Sequence, residues 1–173
     1  ARLVGSEMCI RDRDFLGLGI ELKTIPVHPN GKPSESTFVA SIALSAMADT
    51  DWENSVVYKK LAKVLFVPVE AASSTPLRDR RVGRAYLWVP TNEEQALLRC
   101  DWERLAEMIG NGELAQITGH LGAVLQVRPK AATGSVRRRA PDEEGAVQWA
   151  TPRGFYLRPS FTGAVLARLR AEE

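Results

Sequence analysis

The sequence predicts an α/β fold built on a mixed sheet. Three observations carry this. Six short runs rich in β-branched and aromatic residues are spread between residues 19 and 157. Two Thr-x-x-Glu signals, Thr50 to Glu53 and Thr91 to Glu94, announce helix starts. Strands and helices then mix irregularly, which favours a mixed sheet over a purely parallel one. With 173 residues, 45% hydrophobic and 25% charged, a single domain with one sizeable core is the expectation.

Residues 1–13 show neither helical nor strand periodicity, and no initiator Met opens them. Residues 4–13 resemble a translated sequencing-adapter fragment, so 1–13 reads as a non-native leader and 14–173 as the domain proper. From Asp14 the pattern turns regular. Residues 19–27 alternate as a strand, with Ile20 and Leu22 on one face and Glu21 and Lys23 on the other. Residues 28–33 are a turn by composition, and 37–44 a second strand. Thr50 opens a helix to about residue 63, and 64–69 is a buried strand whose Pro68 sits near a sheet edge or bulge. Residues 71–84 form a polar loop with Arg78, Arg80, Arg81 and Arg84. A strand at 85–89 precedes the helix that Thr91 opens, which stops at Gly110 to Gly112. A short helix over 113–118, a strand over 123–127 and a loop over 131–146 come next. A strand at 154–157 and a helix at 160–170 finish the chain.

Composition excludes several classes. No run approaches about 18 apolar residues, so no membrane-spanning helix is expected, and no charged and then apolar leader marks secretion. Two cysteines, Cys9 and Cys100, exclude a disulfide scaffold and a four-Cys zinc site. With Cys9 in the leader, Cys100 reads as a lone structural thiol in a cytosolic protein. His28 and His120 attract no role. The net charge of +2 conceals an asymmetry. Residues 128–173 hold 9 Lys+Arg and 5 Asp+Glu, a net of +4, whereas 1–127 hold 14 and 16, a net of −2.

The constellation with chemical content is Asp14-x6-Glu21-x-Lys23. Glu21 and Lys23 project from one strand face, and Asp14 can return to the same corner through Gly17 and Gly19. Two converging carboxylates suit a hard divalent cation such as Mg²⁺. A nearby ammonium can act on an attacking water and offset a developing oxyanion, the equipment of a phosphodiesterase. Taken alone, a Glu-x-Lys pair on a strand is more often a solvated face than a site.

The surrounding residues add a resemblance. The stretch 14–27, DFLGLGIELKTIPV, resembles the catalytic segment of the MutH family of methyl-directed mismatch-repair endonucleases. So do 33–39, 52–55, 60–70, 76–83, 87–88, 101–103, 127–132, 152–157 and 161–168, in the same order along the chain. The resemblance implies a restriction-endonuclease-like fold, a mixed central sheet flanked by helices. It implies Mg²⁺-dependent nicking of the unmethylated strand at hemimethylated GATC sites. Asp14 and Glu21 would bind the metal, Lys23 would act on the attacking water, and Lys60 would join the active site. From the residues alone, Lys60 is a solvated helix charge beside Lys59 and Lys63.

By the same resemblance, Lys130 would meet a base edge, with Arg128 beside it and Pro129 near the adenine. Tyr156 would sense adenine N6, where a methyl collides with a fixed ring. Alternation sets Tyr156 opposite Phe155 and Leu157, although a core aromatic is the plainer alternative. Arg80 and Arg81 are solvated surface or a DNA-contacting loop, and 137–139 is a phosphate-facing loop at best. The implied partners are double-stranded DNA and MutL-type and MutS-type repair proteins, for a monomer in the bacterial cytoplasm, at the nucleoid. Family members also carry an N-terminal part, of roughly one structural layer, before the position of Asp14, which adds cleft wall and a further acidic residue; by the resemblance, 14–173 reads as an endonuclease domain lacking that part. Two other readings stay open: a non-cutting fragment that binds GATC DNA or a repair partner, and a type II restriction endonuclease of the same specificity.

Overall fold

The computed structural model describes residues 13–42, 47, 50–72, 74–130, 138–141, 147–150 and 152–172, of which 138–141 and 147–150 are described by their backbone alone. The architecture is mixed α/β, as the irregular element order predicts. Strand β1 (Glu21–Val27) runs parallel to β3 (Val64–Glu70), and β3 pairs antiparallel with β4 (Tyr86–Trp88). This is the expected mixed sheet, but it is not a single central one. A second, antiparallel sheet has the order β2 (Thr37–Ser41), β8 (Arg153–Leu157), β5 (Leu125–Pro129). Strands β6 (Arg138–Pro141) and β7 (Val147–Ala150) pair as a separate antiparallel ribbon. Part of the expected 131–146 loop is therefore strand; Arg137 lies outside the described residues.

Three helices complete the fold: α1 (Val56–Leu61), α2 (Asn92–Gly110) and α3 (Pro159–Ala171). At α2 the Thr91 signal works as read. Thr91 Oγ1 accepts from the Glu94 amide, and Glu94 Oε2 accepts from the Thr91 amide. Thr50 does not open α1. Asp51 Oδ1 takes the Asn54 amide in a local turn, and Ser55 Oγ then accepts from the Tyr58 amide at 3.0 Å and caps the helix. The side chain-to-backbone turn at Asp51 outcompetes helix at this point. The expected helix over 113–118 is reduced to a single 3₁₀ turn, Leu114–Gln116. Pro68 lies in β3 beyond the residues paired with β4, where Gly83 donates its amide to the Pro68 carbonyl. This position needs no donor from the proline.

The core gathers Ile25, Phe66, Trp88, Leu105, Leu125 and Leu166, all fully buried. The β1 faces reverse the simple expectation. Glu21 is buried and Ile25 lies on its face, while Leu22 is exposed. Lys23, between Glu21 and Ile25, is half-buried. The polar face of β1 is thus the one turned into the protein. Cys100 is exposed on α2 rather than packed in the core, because the buried positions of that helix fall at Leu98, Asp101, Trp102 and Leu105. No helix among the described residues is long and apolar enough to cross a membrane.

Candidate active site

The site begins where the chain enters β1. Residues Leu16–Leu18 form a 3₁₀ turn, and Gly19 leaves it at φ 65°. That left-handed backbone suits glycine and lets Phe15 pair with Ile20. The turn returns Asp14 to the start of the strand, where its Oδ2 accepts the Leu22 amide at 2.9 Å. Both carboxylates of the motif therefore stand at the N-terminal end of β1, Asp14 exposed and Glu21 buried.

Glu21 is the centre of an ion cluster. Lys23 Nζ lies 2.8 Å from Glu21 Oε1. Lys60 Nζ, arriving from α1, lies 2.8 Å from Oε1 and 2.9 Å from Oε2. The Lys60 side chain is only 16% exposed, so it is not the solvated charge that its neighbours Lys59 and Lys63 suggest. Burying a carboxylate is costly unless it is paired and hydrogen-bonded, and two ammonium groups meet that condition here. The cluster joins one carboxylate to two ammonium groups, and Asp14 adds a second carboxylate at the same end of β1.

Beside it lies a cleft of about 610 Å³, open between the two sheets. Lys23, Phe38, Arg128, Pro129 and Tyr156 are among its lining residues. Lys23 thus faces both the ion cluster and the cleft. Tyr156 packs edge-on against Phe38, with ring centroids 5.3 Å apart. Lys130 Nζ lies 5.1 Å from the Phe38 ring centre and donates to Ser41 Oγ. Lys23 Nζ is 5.8 Å from the same ring. Arg128 donates to Ser36 Oγ at 3.2 Å. The Tyr156 phenol is pushed above its ordinary range by burial, with Arg128 acting in the opposite sense. It is therefore a neutral hydroxyl near pH 7.

The structure brings Glu21, Lys23 and Lys60 together, and Arg128, Pro129 and Tyr156 around the cleft. Lys130 joins the latter group through Phe38. Arg80 and Arg81 stand in a separate loop. Arg80 donates to the Thr75 carbonyl at 3.1 Å, and the Arg81 backbone pairs with Glu70. Phe38, Ser36 and Ser41 were not singled out from sequence. A Thr-Phe-Val-Ala-Ser strand offers no sign that its aromatic will meet two lysines from distant parts of the chain.

A hard oxygen-ligated cation fits the donor chemistry of Asp14 and Glu21. Magnesium commonly takes one or two protein carboxylates and completes its shell with water and substrate phosphate. Among the described residues no group of three or more His, Cys, Asp and Glu gathers at one place. The donor set on offer is these two carboxylates.

Comparison with known proteins assigns the chain. A family model described as "DNA mismatch repair enzyme MutH" matches residues 8–101, which include Asp14, Glu21, Lys23 and Lys60. The DNA mismatch repair protein MutH of Yersinia enterocolitica is 49% identical over 157 residues, 91% of this chain and 69% of its own length. That of Serratia proteamaculans is 48% identical over 157 residues, again 91% and 69%. That of Shewanella oneidensis is 44% identical over 158 residues, 91% of this chain and 71% of its own. The chain belongs to the MutH family of DNA mismatch repair enzymes.

Proposed function

We propose that this chain is the nuclease domain of a Mg²⁺-dependent endonuclease that nicks the unmethylated strand of DNA at hemimethylated GATC sites. The observation that carries the reading is the Glu21, Lys23 and Lys60 cluster, assembled from two separate elements at the edge of a cleft with basic and aromatic walls. The same reading takes the fold as restriction-endonuclease-like, with β1, β3 and β4 as its catalytic sheet.

In this reading Asp14 and Glu21 hold the cation, which when bound supplies Lewis-acid stabilisation of charge on the scissile phosphate. Lys60 grips both oxygens of Glu21 and fixes that side chain's orientation. Lys23, on the cleft side of the cluster, orients the attacking water and offers its charge to the phosphoryl oxygens in the transition state. Arg128 and Lys130 meet phosphate or guanine edges, and Tyr156 presents a neutral hydroxyl and ring edge to adenine N6. An N6-methyl group would strike that ring, whose position Phe38 supports. MutL-type and MutS-type proteins are the partners that mismatch repair calls for, and Arg80 and Arg81 belong to a loop available to DNA.

The test is nicking of a supercoiled plasmid with hemimethylated GATC sites, using this chain and a chain extended to the length of its relatives. Nicked circles in Mg²⁺, absent with a chelator and absent from a plasmid lacking GATC, are the expected result. Failure of the extended chain to nick overturns the enzymatic reading. GATC-preferring binding without cutting in both chains would favour a non-cutting recognition module.

A further inference from the structure

One buried charged side chain takes no part in the site described above. Asp101, on α2, is 7% exposed. Its carboxylate accepts three consecutive backbone amides: Oδ1 from Ala123 at 2.9 Å, and Oδ2 from Val124 at 2.7 Å and Leu125 at 2.8 Å. These amides lead directly into β5, whose far end is Arg128 and Pro129. The carbonyls of the same segment are held from the other side. Arg158 donates Nε to Gly122 at 2.8 Å, and Nη2 to Gly119 at 2.8 Å and Leu121 at 3.2 Å. The Arg158 amide donates to the Val124 carbonyl. Between the two grips, Gly122 turns at φ 83°, where a Cβ would lie 1.9 Å from the Leu125 carbonyl oxygen. The irregular stretch 119–125 is therefore gripped on both its donors and its acceptors by two charged groups, one from α2 and one from the residue between β8 and α3.

We infer that Asp101 and Arg158 form an anchor that sets the register of β5 against β8 and so aims the cleft-lining residues Arg128, Pro129 and Tyr156. The physical argument is geometric. Gln126 opposes Tyr156 and Arg128 opposes Gly154 in the β5–β8 ladder. A slip of one residue turns every side chain of a strand to the other face. It would carry Arg128 away from the cleft and turn Leu125 and Val127, both buried now, to the face that Gln126 occupies. Arg158 is two residues beyond Tyr156, so one residue ties the two reading strands to the same turn. Neither Asp101 nor Arg158 is among the residues lining the cleft, and both are positioning residues. The inference rests on the proposed reading only where GATC recognition is its readout.

The test compares the unaltered chain with Asp101→Asn and Arg158→Lys. Asparagine keeps one acceptor oxygen for three amides, and lysine keeps the charge but loses the fork that spans three carbonyls. Two readouts are taken well below each variant's melting temperature. The first is affinity for a hemimethylated GATC duplex relative to a scrambled duplex of equal length and salt. The second is amide hydrogen exchange of residues 126–130, read at all of them but Pro129, which has no amide hydrogen. Asp101→Asn should lower the GATC preference about tenfold, as expected for losing hydrogen bonds to a charged group, with affinity for the scrambled duplex unchanged. Exchange at 126–130 should accelerate by a similar factor while the α1 amides keep their protection. Arg158→Lys should do the same to a smaller degree. A lowered melting temperature with unchanged exchange at 126–130 would overturn the inference. Should the unaltered chain show no GATC preference, the functional reading fails, and exchange at 126–130 alone decides whether the anchor exists.

Discussion

The two three-stranded sheets handle charge in opposite ways. On the β1–β3–β4 sheet, charge is buried and closed on itself. Glu21 is 3% exposed and both its oxygens are taken by ammonium groups within 3 Å. On the β2–β8–β5 sheet, charge is exposed and lightly held. Arg128 and Lys130 are exposed and rest on serine hydroxyls and an aromatic face. The first arrangement fixes a few atoms tightly, which is what bond chemistry requires. The second keeps donors available for an incoming ligand, which is what recognition requires. Lys23 is the residue common to both, paired with Glu21 and lining the cleft near Phe38.

The comparison can be broken most severely at Glu21. Glu21→Gln leaves two ammonium groups without their counter-charge, and nicking by an active chain should fall by about 10³-fold or more. The check is the plasmid assay, and nicking within a few-fold of the unaltered chain would dissolve the contrast between the sheets. Lys60→Met comes next. It strips one partner from a buried carboxylate, so chemical denaturation should register a loss of about 1–3 kcal/mol together with slower nicking. A variant as stable as the parent would mean that the pairing contributes nothing.

On the reading side, Tyr156→Ala removes a ring packed on Phe38 but should leave the ion cluster intact. It should narrow the ratio of unmethylated to methylated cutting by roughly tenfold, the scale of a one-methyl discrimination. An unchanged ratio removes Tyr156 from methyl sensing. The smallest effect is spectroscopic. Burial raises the Tyr156 phenol, so the folded protein resists its ionisation. The difference in tyrosinate absorbance between the parent and Tyr156→Phe should appear above the ordinary pH 10 midpoint. The unfolded chain, at its ordinary value, gives up that proton first. The associated stability is present below pH 10 and is lost as pH rises through the folded midpoint. A midpoint at or below 10 would contradict the burial.

Much of this arrangement is legible in sequence, and the exceptions have physical causes. Strand β1 follows from period-two alternation, and α2 from the reciprocal cap at Thr91 and Glu94, because both depend on residues close in sequence. The start of α1 falls at Ser55 rather than at Thr50 because Asp51 forms a competing local turn and Ser55 carries the cap. The pairing of Lys60 with Glu21 spans 39 positions and leaves no local trace. Only the family resemblance draws attention to Lys60. The inward turn of Glu21 is hidden for the same reason, since alternation identifies two faces but not which of them the protein covers. The β6–β7 ribbon is obscured by its arginines and Pro141, although Val147 to Trp149 carries an apolar alternation, and the division into two sheets rests on long-range pairings that leave no local trace.

The measurement that bears most directly on the central claim is a paired assay of Lys23→Ala in the chain extended to the length of its relatives. Nicking of hemimethylated GATC plasmid and preference for GATC over scrambled duplex are measured on the same preparation, with Mg²⁺ in the first and a chelator in the second. Chemistry centred on the Glu21 cluster, with reading vested in the second sheet, predicts that nicking is lost while the GATC preference persists. Nicking at the parental rate, or a loss of preference as deep as the loss of nicking, would contradict it.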